Sequence, residues 1–247
     1  MIIDSYDKTQ AYTEENLREA MKIHSEEFSF FKFLYNQNLE ITNWMSSGKK
    51  IDSARSAFVL NRLHKAQRFL FTCHTLILSG QCDEANVLMR NIIELLLSAV
   101  DIKIHDRGWG KIQASSYSFN TCFDRIKSND ILRRYHKFIT EHGKLSGFWS
   151  HENFKTDRIE SILTTDQDGE QRVRQELSTG YSHKNPLMWI YLADVVKLSR
   201  EITQTIDFLF GELLQKERKE EWETTKSKFE GFLKKEKVFK EKIGWKD

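Results

Sequence analysis

Residues 84–105 read EANVLMRNIIELLLSAVDIKIH, a stretch in which apolar side chains outnumber polar ones. On a helical wheel the main polar side chains fall within a stripe roughly 100° wide. They are Arg90, Asp101, Glu94, His105, Ser98 and Asn91. The remaining ~260° is nearly all apolar, whereas a surface helix usually has a much broader polar face. The stretch therefore predicts the central helix of an all-α fold.

The narrow polar stripe has two interpretations, and the sequence leaves both open. In the first, the stripe faces solvent, and Arg90 and Glu94 form an ordinary i,i+4 ion pair. In the second, it lines a groove, where the same two side chains form a fixed clamp that organises other groups. Buried charges must be paired, which such a clamp would achieve. Arg90 and Glu94 are therefore the first candidate site residues.

The rest of the chain predicts further long helices around this one. There is one proline, Pro186, and there are 11 glycines, so few residues interrupt helical periodicity. Apolar spacing predicts helices over 14–46, 53–79, 84–104 and 119–142, and another from Pro186 behind an Asn185 cap. The short turn after residue 79 makes the second and third helices antiparallel neighbours. We predict an all-α, antiparallel helical bundle.

The helix predicted over 53–79 has clearly separated faces. Its polar face holds Asn61, His64, Lys65, Arg68, Thr72, Thr75 and Ser79. Its apolar side holds Leu60, Leu63, Leu70, Phe71 and Leu78. His74 falls on the apolar side with Gln67 and Phe71, which predicts a buried structural histidine.

Two segments depart from the bundle pattern. Asp168-Gly169, between mildly alternating flanks, predicts a small β-hairpin or an irregular excursion near 155–180. Residues 215–247 are rich in Lys and Glu with interspersed apolar residues, and they predict a charged C-terminal helical extension of a bundle domain over 1–214. That extension is interpreted as a solvated helix docking on the body, as a protein-partner or self-association helix, or as a contact for an anionic partner.

Several classes of function are disfavoured by composition and motifs. The net charge of +2 gives no whole-protein argument for nucleic acid. No apolar run approaches the ~20 residues that span a bilayer, and the N-terminus lacks a signal-peptide pattern, so we expect no membrane contact. Three cysteines without C-x-x-C spacing predict neither disulfides nor zinc binding, so we expect a reduced, cytoplasmic setting. Metalloprotease, di-iron, nucleotide-loop, nucleophile-elbow and Rossmann motifs are absent, so we predict no metal and no cofactor.

A short polar phrase occurs twice, as LSGFWSHEN over 145–153 and LSTGYSHKN over 177–185. Both fit L-S-x-x-x-S-H-x-N, and a histidine such as His151 or His183 can act as an acid or base near neutral pH. A structural interpretation stays open, in which the serine caps a helix and the histidine is an ordinary loop residue. In the functional interpretation either loop binds phosphate or a substrate oxygen. The candidate binding residues are Ser146, Ser150, Asn153 and Arg134.

These features resemble an uncharacterised family of helical bacterial proteins related to the HEPN superfamily (higher eukaryote and prokaryote nucleotide-binding). The resemblance rests on Arg90 and Glu94 in a very apolar helix, then a basic helix, then Leu145, Ser146, Phe148 and His151, then a long final helix. It covers roughly residues 58–210. It implies a helical bundle, often dimeric, and a spectrum from metal-independent ribonucleases of toxin–antitoxin or phage-defence systems to members that only bind.

One departure from the HEPN pattern matters for function. Active HEPN ribonucleases carry a histidine a few residues after an arginine, and neither histidine loop has that motif. Two other pairs, Arg18–His24 and Arg68–His74, have the arginine-to-histidine spacing of that motif. So short a motif is expected to occur about this often by chance. Three hypotheses follow. The first is a dimeric, RNA-acting ribonuclease with His151 or His183 as catalytic base. The second is a non-catalytic scaffold that binds a nucleotide, a small ligand or a protein partner, and the third is a purely structural oligomer.

Overall fold

The structure is a computed structural model that describes residues 6–47, 51, 53–118, 122, 159–165, 171–177, 186–215 and 219–242. Seven helices lie in these ranges. They are α1 (Tyr6–Ile23), α2 (Ser25–Ser47), α3 (Ala54–Leu78), α4 (Cys82–Ile104), α5 (Asp106–Gln113), α6 (Pro186–Gln215) and α7 (Lys219–Lys242). The predicted all-α character is confirmed. The single helix predicted over 14–46 is instead two helices that meet at His24. The helix predicted over 119–142 lies outside the described residues, Cys122 excepted.

The chain between α5 and α6 carries two strands, β1 (Ile159–Thr165) and β2 (Gln171–Leu177). They pair antiparallel, with Ile159 opposite Leu177 and Thr165 opposite Gln171. Their side chains and the residues that join them lie outside the described part of the chain. Whether this segment forms a compact hairpin against the helices therefore stays a prediction.

A Schellman turn joins α3 to α4. The Gly80 N–H donates to the Ile77 carbonyl at 2.9 Å, and the Gln81 N–H donates to the Leu76 carbonyl at 2.8 Å. Gly80 has φ 87°, a left-handed conformation that costs glycine little because it has no Cβ. The turn satisfies the last carbonyls of α3 and reverses the chain within a few residues.

Contacts along their length hold α3 and α4 side by side in opposite directions. At one end, Lys103 Nζ donates to Ser56 Oγ at 2.7 Å. In the middle, Arg62 Nη1 donates to Ser98 Oγ at 2.8 Å. Near the turn, the Cys73 thiol lies 3.5 Å from the Ala85 carbonyl oxygen. The burial of Cys73 also raises the pKa of its thiol to about 12, so it behaves as a packing residue.

The apolar core is formed by α2, α3, α4 and α6. From α4 it takes Met89, Ile92, Ile93, Leu96, Leu97, Val100 and Ile102, all buried. The apolar surface of α4 is nevertheless narrower than predicted, because Val87 and Ile104 near its ends are exposed. In α3 the prediction was wrong for Phe71, which is 54% exposed, although Gln67 and His74 are buried as expected.

A buried polar layer crosses this core at Asn38 of α2. Its amide nitrogen donates to the Ser199 carbonyl at 2.9 Å, and its amide oxygen accepts from the Thr203 hydroxyl at 2.7 Å. From α3, Gln67 Nε2 donates to the Asn38 carbonyl at 3.2 Å. The layer fixes the position of α2 against α3 and α6, since any sliding would leave buried polar atoms unsatisfied.

The tail helix α7 contacts the remaining helices through an aromatic side chain. Phe232 is buried, with its ring centroid 5.4 Å from that of Phe30 and 6.3 Å from that of Trp189. An exposed ion pair between Lys235 and Glu26 adds a polar contact. Among the described residues, no helix combines the length and the apolarity that a membrane crossing needs.

Candidate functional site

Two of the eight predicted site residues, Arg90 and Glu94, fall within the described part of the chain. The other six lie outside it: His151, His183, Ser146, Ser150, Asn153 and Arg134. Their convergence with Arg90 and Glu94 therefore stays a prediction.

Arg90 and Glu94 form an ion pair on α4, with Arg90 Nε 3.0 Å from Glu94 Oε1. The side chains are 44% and 31% exposed, so water screens the pair, and its contribution is that of an ordinary i,i+4 pair. Glu94 also lines a groove between α3 and α4. Features of both sequence interpretations are thus present at this end of the polar stripe.

The other end of the stripe combines a buried carboxylate, Asp101, with a partly exposed imidazole, His105. Asp101 is fully buried and accepts a hydrogen bond from the Tyr117 hydroxyl at 2.9 Å, while His105 Nδ1 lies 3.0 Å from its other oxygen. Burial, Cys122 and this carboxylate together raise the pKa of Tyr117 far above its ordinary value. The stripe therefore runs from a partly exposed ion pair at Arg90 to a hydrogen-bonded cluster around the buried Asp101.

The groove between α3 and α4, here the inner groove, has a volume of about 310 Å³. It is lined by Arg62, Lys65, Phe69, Asn91, Glu94, Leu95, Ser98 and Tyr117. The size is at the lower end of the range of small-ligand sites. Its side chains combine two cations and two aromatic rings with a hydroxyl, an amide and one carboxylate.

Arg62 is the most unusual side chain in the inner groove. Its guanidinium carbon lies 5.1 Å from the Phe58 ring centroid and 5.7 Å from that of Tyr117. Burial lowers the pKa of Arg62, against smaller opposing effects of Tyr117 and Cys122. Its Nε is buried without a hydrogen-bond partner, and no described carboxylate forms an ion pair with the Arg62 side chain. A counter-anion would offset the desolvation of such a partly buried guanidinium.

A second groove, here the outer groove, lies on the exposed face of α3 and has a volume of about 470 Å³. It is lined by Tyr35, Asn61, His64, Lys65, Arg68, Phe69, Phe71 and Thr72. Burial lowers the pKa of His64, whose Nε2 lies 3.4 Å from the Ser46 hydroxyl. Lys65 and Phe69 line both grooves, so the two adjoin along α3.

Sequence reasoning missed Arg62 and assigned no site to the outer groove, although it predicted the polar face of α3 from which most of that groove is built. The polar face predicted for α3 already contained Asn61, His64, Lys65, Arg68 and Thr72. Arg62 lies beside that face, and only its position against Ser98 of α4 reveals its burial. One available signal was overlooked: α3 carries four basic residues and no Asp or Glu.

Comparisons with protein-family models, curated proteins and solved structures give no match to this chain. Within the described residues, no group of three or more His, Cys, Asp or Glu side chains is arranged to hold a metal ion.

Proposed function

We propose that this protein is an RNA-acting member of the HEPN class: a dimeric antiparallel bundle with its core over about 58–210, whose inner groove binds the RNA backbone. We further propose that it is a metal-independent endoribonuclease of a bacterial toxin or phage-defence system. The observation that carries the proposal is Arg62, a partly buried cation that lines the inner groove and has no ion pair with a described carboxylate. A phosphate bound in the groove would supply the missing counter-charge.

Electrostatics support an anionic ligand at this position. Desolvation disfavours the Arg62 charge, as its lowered pKa indicates, and a bound anion would offset that cost. Glu94 opposes phosphate binding in the same groove, but its ion pair with Arg90 reduces its effective charge. A planar guanidinium also matches the geometry of two phosphate oxygens better than an ammonium does.

The proposed chemistry combines this cation with the histidine loops. His151, or failing that His183, removes the proton from a ribose 2′-hydroxyl, and that oxygen attacks the adjacent phosphorus. The bond from phosphorus to the 5′-oxygen breaks, and the departing oxygen takes up a proton. The products are a 2′,3′-cyclic phosphate and a 5′-hydroxyl. Arg62 stabilises the negative charge that develops on the phosphate oxygens, while Ser146, Ser150, Asn153 and Arg134 position the substrate.

The test is cleavage of mixed RNAs by the purified full chain in the presence of a chelator. We expect products with 2′,3′-cyclic phosphate ends, no cleavage of RNA with 2′-deoxy substitutions, and no cleavage by His151→Ala. Arg62→Gln should lower the rate at least tenfold, and Arg107→Gln, which removes an exposed cation outside both grooves, should leave it unchanged. Absence of cleavage by the wild type, or equal cleavage by wild type and His151→Ala, would overturn the assignment of His151.

A second candidate function is binding of a nucleotide without cleavage. The volume of the inner groove favours it, because about 310 Å³ suits one nucleotide better than a long RNA segment. In that case mononucleotides and RNA should compete for the same site with similar affinity. Arg62→Gln should weaken the binding of mononucleotides and of RNA to the same extent, and the protein should cleave neither ligand.

A further inference from the structure

The outer groove of α3 has an aromatic platform at the surface, anchored in the core. His74 and Phe31 stack at 3.9 Å between ring centroids, Phe31 contacts Tyr35 at 5.8 Å, and Tyr35 contacts Phe71 at 5.7 Å. The series runs from buried His74 to Phe71, which is more than half exposed. Tyr35 and Phe71 are therefore held in place, and an exposed ring costs less to use in binding when it is already ordered.

The charged side chains that line this groove are positive. Lys65 and Arg68 line the groove, and neither forms an ion pair with any described acidic residue. Lys65 Nζ lies 5.5 Å from the Phe69 ring centroid, and the charge of Arg68 acts on the Tyr35 hydroxyl. Since α3 itself contains no Asp or Glu, this face attracts a ligand that is anionic and also presents flat apolar faces.

Unpaired nucleotides have both properties. Their bases stack on aromatic side chains, and their phosphates contact cations. In a duplex the base faces are covered by neighbouring base pairs, so an exposed phenyl ring cannot reach them. A protein ligand with acidic and aromatic side chains would also be anionic. It lacks, however, the regular alternation of planar groups and anions that would match an aromatic platform beside two cations.

We infer that the outer groove binds single-stranded RNA, with one base stacked on Phe71 and Tyr35 and the flanking phosphates on Lys65 and Arg68. This inference rests on the proposed function and adds to it the class of substrate. Lys65 and Phe69 belong to both grooves, so a strand can pass from the platform to Arg62 without leaving α3. The platform then determines a preference for unpaired over paired RNA.

The test is fluorescence anisotropy of the full chain with a labelled single-stranded RNA, its duplex, and the same strand with abasic sites. Stacking of one base predicts that Phe71→Leu, which removes the ring, weakens binding of the single strand about tenfold. Phe71→Trp keeps a ring and should bind like the wild type. Phe71 is exposed, so each variant should fold, which circular dichroism would check.

The abasic strand and the duplex distinguish stacking from charge. The wild type should bind the abasic strand as weakly as Phe71→Leu binds the intact one, and Phe71→Leu should leave duplex affinity unchanged. Arg68→Gln should weaken all three RNAs. Equal wild-type affinity for single strand and duplex, or identical binding by Phe71→Leu and wild type, would overturn the inference while leaving RNA binding intact. A wild type that binds none of the RNAs would overturn the proposed function as well.

Discussion

At the scale of single residues, His74 shows how a buried imidazole makes stability depend on pH. Its ring stacks on Phe31, its Nε2 has no hydrogen-bond partner, and burial lowers its pKa to about 4. The folded state therefore holds His74 neutral, while the unfolded chain takes up a proton near pH 6.5. Stability from this residue is complete above pH 6.5 and is lost as pH falls toward 4.

We predict that His74→Phe keeps the stack and removes this pH dependence. Between pH 7 and pH 4.5 the wild type should lose about 2–3 kcal/mol more unfolding free energy than the variant does. Urea unfolding at both pH values measures the difference, and other titrating groups cancel because both proteins share them. Equal losses in the two proteins would show that His74 is not held neutral.

Gly108 lies where the structure leaves no space for a side chain. A Cβ at this position would lie 2.9 Å from Asp101 Oδ2 and 3.0 Å from the Asp101 carbonyl oxygen, both too close. We predict that Gly108→Ala costs about 1–3 kcal/mol of unfolding free energy. Gly110 of the same helix has open space around it, so Gly110→Ala should stabilise by about 0.5–1 kcal/mol. Chemical denaturation of both variants would contradict this account if their stabilities were the same.

At the scale of elements, the polar stripe of α4 changes character along its length. Glu94→Gln should cost at most about 0.5 kcal/mol of unfolding free energy, because its ion pair is partly exposed. Asp101→Asn should cost about 1.5–3 kcal/mol, because the carboxylate is buried and accepts a hydrogen bond from Tyr117. Equilibrium unfolding of the two isosteric variants tests this gradient. A cost at position 94 as large as that at position 101 would contradict it.

The same helix shows how far its sequence determines its surroundings. Periodicity alone predicted α4 as a buried helix with one narrow polar stripe, because the spacing of apolar and polar side chains can be read within the helix itself. The end of the stripe that is buried is determined by residues outside α4: Arg62 of α3 contacts Ser98, and Tyr117 beyond α5 contacts Asp101. No spacing within residues 84–105 encodes those partners, so the burial of Asp101 and the site at Arg62 could not be predicted from the stripe.

At the scale of the whole molecule, the polar layer at Asn38 connects three helices. Asn38→Ala removes the acceptor of the Thr203 hydroxyl and leaves a small cavity, so we predict a loss of about 2–3 kcal/mol of unfolding free energy. Asn43→Ala on the exposed side of the same helix should stay within about 0.5 kcal/mol of the wild type. Thermal or urea unfolding measures both stabilities. Equal stability of the two variants would contradict the claim that the polar layer stabilises the fold.

The helical class of the molecule was predictable because one proline, few glycines and long stretches with helical apolar spacing favour helices over most of the chain. The helix register was not, because it depends on contacts between residues far apart in sequence, such as Asn38 with Ser199. The histidine loops were identified as motifs, but their position relative to Arg90 and Glu94 is also a long-range property. It stays the prediction on which the catalytic proposal depends.

The most direct test of the central claim is the salt dependence of RNA binding by the wild type, Arg62→Gln and Arg107→Gln. If Arg62 neutralises a phosphate in the inner groove, its loss should weaken binding of single-stranded RNA about tenfold or more. It should also reduce the slope of log affinity against log salt by about 0.7, the value expected for one phosphate contact on a single strand. Arg107→Gln should change neither quantity. An Arg62→Gln variant with the affinity and slope of the wild type would contradict the claim.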